Sequence, residues 1–198
     1  MIELSYMEIR ILGNQSVFLK GKKENLLINP TKEILGDSKY SSRIIVFTSE
    51  DFDDLKLNTE AIIIRGSGEY EIGGVEIVGY SANGGETVYL INHDGISVAV
   101  LGQLKEALTE KRVEKINGID VLLAPVAIGT ENSAKSVLAW AKKWGVNYLI
   151  PTGWIENNEN LIKFLDVADE EGAEQIESLK VEKGDLPDGL EVKVIKKV

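Results

Sequence analysis

The chain has 198 residues, 43 % apolar and 7 % aromatic, and carries 22 Lys and Arg against 32 Asp and Glu, a formal charge of −10. That length suits one domain spanning 1–198, burying about 68–75 % of the unfolded surface, and the negative field argues against nucleic acid as a partner. No apolar run approaches the ~20 residues of a membrane span and no signal-peptide pattern opens the chain; zero cysteines and one histidine exclude disulfides, thiolate metal sites and cysteine nucleophiles, so a cytoplasmic protein is expected.

The first half reads as strands. Segments 7–12, 16–20 and 26–29 are rich in Val, Ile, Leu and Phe, and Gly13-Asn14 and Gly21-Lys22 supply the turns between them. Pro30 breaks the third strand, and 31–39 reads as a short helical turn or a loop. Segments 44–47 and 61–64 are apolar runs of the kind buried on both faces. Strands 69–72, 75–80, 87–91 and 96–101 follow, divided by Gly73-Gly74, Gly84-Gly85 and Asp94-Gly95. His93-Asp94-Gly95 between two apolar runs predicts a tight hairpin, because such a turn needs positive φ at its centre.

The second half alternates helix and strand. Helices are predicted over 109–116, with Thr109 as N-cap, over 133–144, stopped by Gly145, and over 160–171, stopped by Gly172. Strands 121–124 and 148–150 end at Pro125 and Pro151, and 174–181 and 190–195 close the chain as two further strands. Trp140 and Trp144 share the apolar face of the second helix and are expected to cover a sheet. A strand meander followed by strand–helix alternation implies two sheets with helices outside.

Short motifs sit at the ends of these strands. They are Leu12-Gly13-Asn14, Ile28-Asn29-Pro30, a run from Thr48 through Ser49, Glu50, Asp51, Phe52 and Asp53 to Asp54, Leu101-Gly102-Gln103, and Ile150-Pro151-Thr152-Gly153-Trp154. With Gly68-Glu69-Tyr70-Glu71 and the strand beginning Asp120-Val121-Leu122-Leu123, they resemble the metallo-β-lactamase superfamily, most closely its small branch similar to ascorbate-6-phosphate lactonase. The resemblance covers nearly the whole chain. It implies an α+β four-layer αββα sandwich, two mixed sheets flanked by helices.

The resemblance also implies where a dinuclear zinc site would be. The family reads Thr-His-x-His-x-Asp-His after its fourth strand; here Ser49, Asp51 and Asp54 stand at the histidine positions and Asp53 keeps the family residue. Asn14 replaces a histidine, Asn29 an aspartate, Gln103 the metal-bridging aspartate and Gly153 the last histidine. Zinc sites are built mainly from imidazole and thiolate. The expectation is therefore a scaffold retained with its metal site lost: no cofactor, no catalytic residue, and a non-enzymatic binding or structural role.

Alternatives remain at this point. Asp51, Asp53 and Asp54, with Glu50, offer the carboxylate oxygens that suit Mn²⁺ or Mg²⁺, which would permit hydrolysis of a small phosphorylated or lactone-like substrate. A solvated acidic loop is the plainer reading. Ser49 has no histidine or lysine beside it to activate it as a nucleophile. Trp154, at the strand end facing the cleft, is expected to fill space vacated by metal and substrate. The expected partner is a small molecule, with a second copy of the chain admitted by analogy alone.

Overall fold

The computed structural model describes residues 6–49, 60–104, 108–114, 116–126, 133–154, 159–170 and 173–198. The strands are β1 (Tyr6–Ile11), β2 (Val17–Lys20), β3 (Asn25–Ile28), β4 (Ile44–Phe47), β5 (Ile62–Arg65), β6 (Gly68–Ile72), β7 (Val75–Ser81), β8 (Thr87–His93), β9 (Ile96–Val100), β10 (Val121–Pro125), β11 (Tyr148–Thr152), β12 (Gln175–Ile176), β13 (Leu179–Glu182), β14 (Glu191–Val192) and β15 (Val194–Ile195). The helices are α1 (Lys32–Gly36), α2 (Glu110–Val113), α3 (Ser133–Trp144) and α4 (Glu159–Val167).

Among the described residues one sheet runs β13-β1-β2-β3-β4-β5 and a second runs β14-β11-β10-β9-β8-β7-β6. Both are mixed. β1, β2 and β3 pair antiparallel and β3, β4 and β5 parallel, while β6 to β9 form an antiparallel meander and β9, β10, β11 and β14 run parallel. Three apolar clusters define the layers. The inner faces of both sheets meet through residues such as Ile9, Val46, Ile77, Val98 and Leu123. The outer face of the second sheet is covered by α3 and α4 through Val137, Trp140, Trp144, Leu161 and Phe164. Phe18, Ile45 and Phe47 on the outer face of the first sheet pack with Tyr40, and Ile34 and Leu35 of α1 lie against them. This is the predicted αββα order, and no described helix is long and apolar enough to cross a membrane.

The turn chemistry acts as the sequence implies. Asp94 and Gly95 both take positive φ, 52° and 79°, as a two-residue hairpin requires. Segment 31–39 resolves into α1, whose Thr31 side chain accepts from Ile34 N–H, followed by a 3₁₀ turn at Ser38–Tyr40. Several predicted elements differ, among them the helix expected over 109–116, which is the shorter α2. Segment 174–181 is not one strand: β12 pairs with β15 in a separate two-stranded ribbon, and β13 joins β1. Segment 190–195 divides likewise at Lys193, with β14 on the second sheet and β15 on the ribbon. A chain that passes from one sheet to the other must leave one ladder before entering the next. Helix α4 also ends early, with Asp169 at φ 56° and Glu170 N–H donating to the Leu165 carbonyl at 2.9 Å, a left-handed cap set by an aspartate.

Candidate functional site

Asn29 follows β3 with φ 47°, a left-handed conformation that Asn tolerates better than most side-chain-bearing residues. Its side chain is 1 % exposed and turned towards the end of β4. Asn29 Oδ1 accepts from Thr48 N–H at 2.9 Å, and Nδ2 donates to Thr48 Oγ1 at 2.9 Å. Ser16 Oγ donates to the Asn29 carbonyl at 2.6 Å. Gly102, just past β9, approaches from the second sheet; a Cβ there would collide with the Thr48 side chain, so only glycine allows this closeness. Gln103 follows it and is exposed.

A second group forms at the end of β11. Gly153 N–H donates to the Asn14 carbonyl at 2.6 Å, and Gly153 has φ 73°. A Cβ on Gly153 would collide with Nε2 of Gln15, so Gln15 fills the space that a side chain at 153 would need. Lys197 Nζ donates to Asn14 Oδ1 at 2.6 Å and lies 4.5 Å from the centroid of the Trp154 ring. The two groups connect along the chain from Asn14 to Ser16, and from Ser16 to Asn29. Asn14, Asn29, Gln103 and Gly153 are thus brought to one end of the sandwich.

Ser49, 8 % exposed, makes an isolated bridge with Glu86, and Thr87 N–H donates to the Thr48 carbonyl at 2.7 Å. These contacts join the end of β4 to the start of β8 across the sandwich. A cavity of about 360 Å³ opens beside them, lined among others by Thr48, Ser49, Arg65, Ser67, Glu86 and Thr87. Glu86 is 1 % exposed, and the Arg65 guanidinium stacks 4.3 Å over the Phe47 ring. Beneath it, Tyr89 OH donates to the carbonyls of Phe47 and Gly66 at 3.2 and 3.1 Å, and burial pushes the phenol up to about 12.

Trp154 is not among the residues lining this cavity. It packs in the helix-side core, 5 % exposed, with its indole N–H donating to the Pro151 carbonyl at 3.1 Å. The filler beside Gly153 is Gln15 instead. His93 lies at the other end of the strands; its Nε2 is 2.7 Å from the Glu24 carbonyl and Nδ1 3.4 Å from Asp94 Oδ2. Asp51, Asp53 and Asp54, with Glu50, fall outside the described residues. Sequence reasoning passed over Gln15, Arg65, Glu86 and Lys197. Each sits in or beside a polar turn or tail, where nothing periodic distinguishes a buried or clamped side chain from a solvated one.

The donor set at the described family positions does not fit zinc. Asn14 and Asn29 are amides already engaged by Lys197 and Thr48, Gln103 is an exposed amide, and Gly153 has no side chain. Among the described residues no three His, Asp or Glu side chains gather as a metal site would require.

This fold and site define a class. A family model described as the beta-lactamase superfamily domain matches residues 8–153, and the chain belongs to that superfamily. No curated protein matches it in sequence. Among solved structures it is similar to a proposed Zn-dependent hydrolase of the metallo-β-lactamase superfamily from Thermotoga maritima, at 24 % identity and TM-score 0.77, covering 97 % of this chain and 100 % of that one. It is also similar to a metallo hydrolase from Ignicoccus hospitalis, at 14 % identity and TM-score 0.62, covering 89 % and 99 %. The metallo-β-lactamase fold protein YhfI from Bacillus subtilis matches at 9 % identity and TM-score 0.64, covering 96 % and 97 %. At these identities the likeness is one of fold.

Proposed function

We infer that this chain is a non-catalytic member of its superfamily, a cytoplasmic protein that binds a small polar molecule at the strand ends without consuming it. One observation carries the reading: the side chains at the described ligand positions are directed at the protein itself. Asn29 is used on Thr48, Asn14 on Lys197, and the room beside Gly153 is taken by Gln15. A zinc ion needs imidazole, carboxylate or thiolate ligands to bind and to lower the pKa of its water towards ~7. The polar cavity of about 360 Å³ beside Ser49 supports a ligand role, being near the lower end of the ~300–1,000 Å³ range of small-molecule sites.

The test is elemental analysis of protein purified without chelators, with a hydrolase substrate panel run on the same sample. Sub-stoichiometric metal and no turnover are expected. The opposing reading, a Mn²⁺ or Mg²⁺ hydrolase acting through Asp51, Asp53 and Asp54, draws support from structural relatives described as hydrolases. Stoichiometric metal that disappears in Asp53→Ala, together with turnover, would replace our reading with that one. A metabolite screen by thermal shift addresses the ligand, since a molecule bound only by the folded state raises the melting temperature.

A further inference from the structure

The single histidine closes the end of the sandwich opposite the cleft. His93 ends β8, is fully buried, and pairs with Ile96 across the hairpin. Its Nε2 meets the Glu24 carbonyl at 2.7 Å. A carbonyl only accepts, so Nε2 carries a proton whatever the charge of the ring. Nδ1 has no hydrogen-bond partner among the described residues and stands 3.4 Å from Asp94 Oδ2. The Asp94 side chain is 2 % exposed, and the same oxygen accepts from Lys22 N–H at 2.6 Å. The turn 21–24 between β2 and β3 is closed by Gly21 N–H donating to the Glu24 carbonyl at 3.2 Å. It lies against the imidazole: a Cβ on Gly21 would collide with Cε1 and Nε2 of His93 and with Asp94 Oδ2. One imidazole and one carboxylate thus join a turn of the first sheet to a hairpin of the second.

A neutral ring leaves the Nδ1 lone pair facing a carboxylate oxygen, two acceptors side by side in a buried place, where an unmet polar group is costly. A second proton at Nδ1 turns that contact into a donor and an acceptor of opposite charge, the stronger class of hydrogen bond. Imidazole is the side chain whose charge changes near neutral pH. We propose that His93, Asp94 and the turn 21–24 form a proton-operated clasp between the two sheets, shut when Nδ1 is protonated and loosened when it is bare. The proton comes from solvent, and because the ring is covered it enters and leaves as the turn lifts. The charged groups about the clasp are Asp94 on its own hairpin, Lys22, Lys23 and Glu24 on the facing turn, and Arg43 ahead of β4. Arg43 takes the Glu24 carboxylate at 2.5 Å, and Lys23 Nζ donates to the Gly74 carbonyl at 3.4 Å. Asp94 is the carboxylate beside Nδ1. The clasp does not depend on what the cleft binds.

The experiment follows the full ¹⁵N-labelled chain from about pH 5.5 to 8.5, the range in which imidazole changes charge, at constant ionic strength. Because the chain has one histidine, its ring nitrogens need no assignment. Their shifts should show the Nε2–H form at high pH and a doubly protonated ring at low pH. Hydrogen exchange of the Lys22 amide, corrected for its intrinsic rate, reads the clasp. Its protection should rise about fivefold or more on acidification, in step with the ring, since a charge-assisted bond is added. The Thr87 amide, which ties the sheets at the cleft end, should not follow. Asp94→Asn keeps an acceptor for Lys22, tolerates the φ of 52°, and sets an amide donor beside the bare Nδ1. Its Lys22 protection should no longer rise in acid. His93→Gln keeps a donor for the Glu24 carbonyl and should give a flat profile; dispersed spectra verify that each variant folds. A ring that holds one charge state across the range overturns the proposal, as does an Nδ1–H form at high pH. So does a Lys22 amide indifferent to the ring's charge, a Lys22 profile that either variant shares with wild type, or one that Thr87 shares with Lys22.

Discussion

Asn29, which ties the end of β3 to the end of β4, and Tyr89, which ties β8 to the end of β4 in the other sheet, show how single polar groups hold the strand ends. Truncating Asn29→Ala would leave the buried Thr48 N–H without its acceptor, and losing a buried hydrogen-bond partner costs about 1–3 kcal/mol; urea unfolding should read a loss in that range, greater than for Gln103→Ala on the surface. Tyr89 gives a pH signature. Its phenol is raised from 10.0 to about 12 because burial disfavours the phenolate. The folded state therefore holds that proton more tightly than the unfolded chain, so the associated stability is intact below pH 10 and is withdrawn as pH climbs towards 12. Unfolding measured across about pH 9–12 should fall more steeply in wild type than in Tyr89→Phe. That Asn14, Asn29 and Gly153 lie at strand ends was legible because strand-end motifs fix their register. Gln15 and Lys197 were not, since a polar residue in a turn or tail gives no periodic signal of what it touches.

Glycines that end elements separate two costs that are usually mixed. Gly145 closes α3 at φ 69°, with Val146 N–H donating to the Ala141 carbonyl at 3.0 Å, and a methyl group at this position would meet nothing within 4 Å. Gly145→Ala should therefore cost only the backbone term, about 1 kcal/mol. Gly153→Ala at the end of β11 meets the same backbone term and also strikes Gln15. Its loss should exceed that of Gly145→Ala, and the Gln15→Ala background should recover the difference; a double-mutant cycle showing no coupling would contradict the packing described. Elements with strong local chemistry, such as α3 and the Asp94-Gly95 hairpin, could be read directly from the sequence. The closing strands could not, because a run of apolar residues carries no mark of which sheet will take it, and the breaks at Lys193 and before Leu179 are tertiary decisions.

At the scale of the molecule, Val194 and Ile195 are adjacent yet belong to different cores, the first under the helices and the second between the sheets. β15 thereby contributes to both clusters, as β9, β10 and β11 do by strand alternation. Ile195→Ala should cost about 2–5 kcal/mol. Trp140, Trp144 and Trp154 all report on the helix-side core, so their fluorescence should shift by the same amount as far-UV circular dichroism in this variant. Separated transitions would mean that the two cores melt independently. The same stitching bears on what counts as the unit of folding. The superfamily match stops at residue 153, but β13, which borders β1, and β14, which borders β11, are both contributed by the chain beyond it. Cutting there would bare one edge of each sheet and strip Leu179, Val181 and Ile195 from the interior. Bare edges recruit other chains, so the homologous segment on its own is expected to self-associate: ancestry marks out a smaller piece than the physics of burial can sustain.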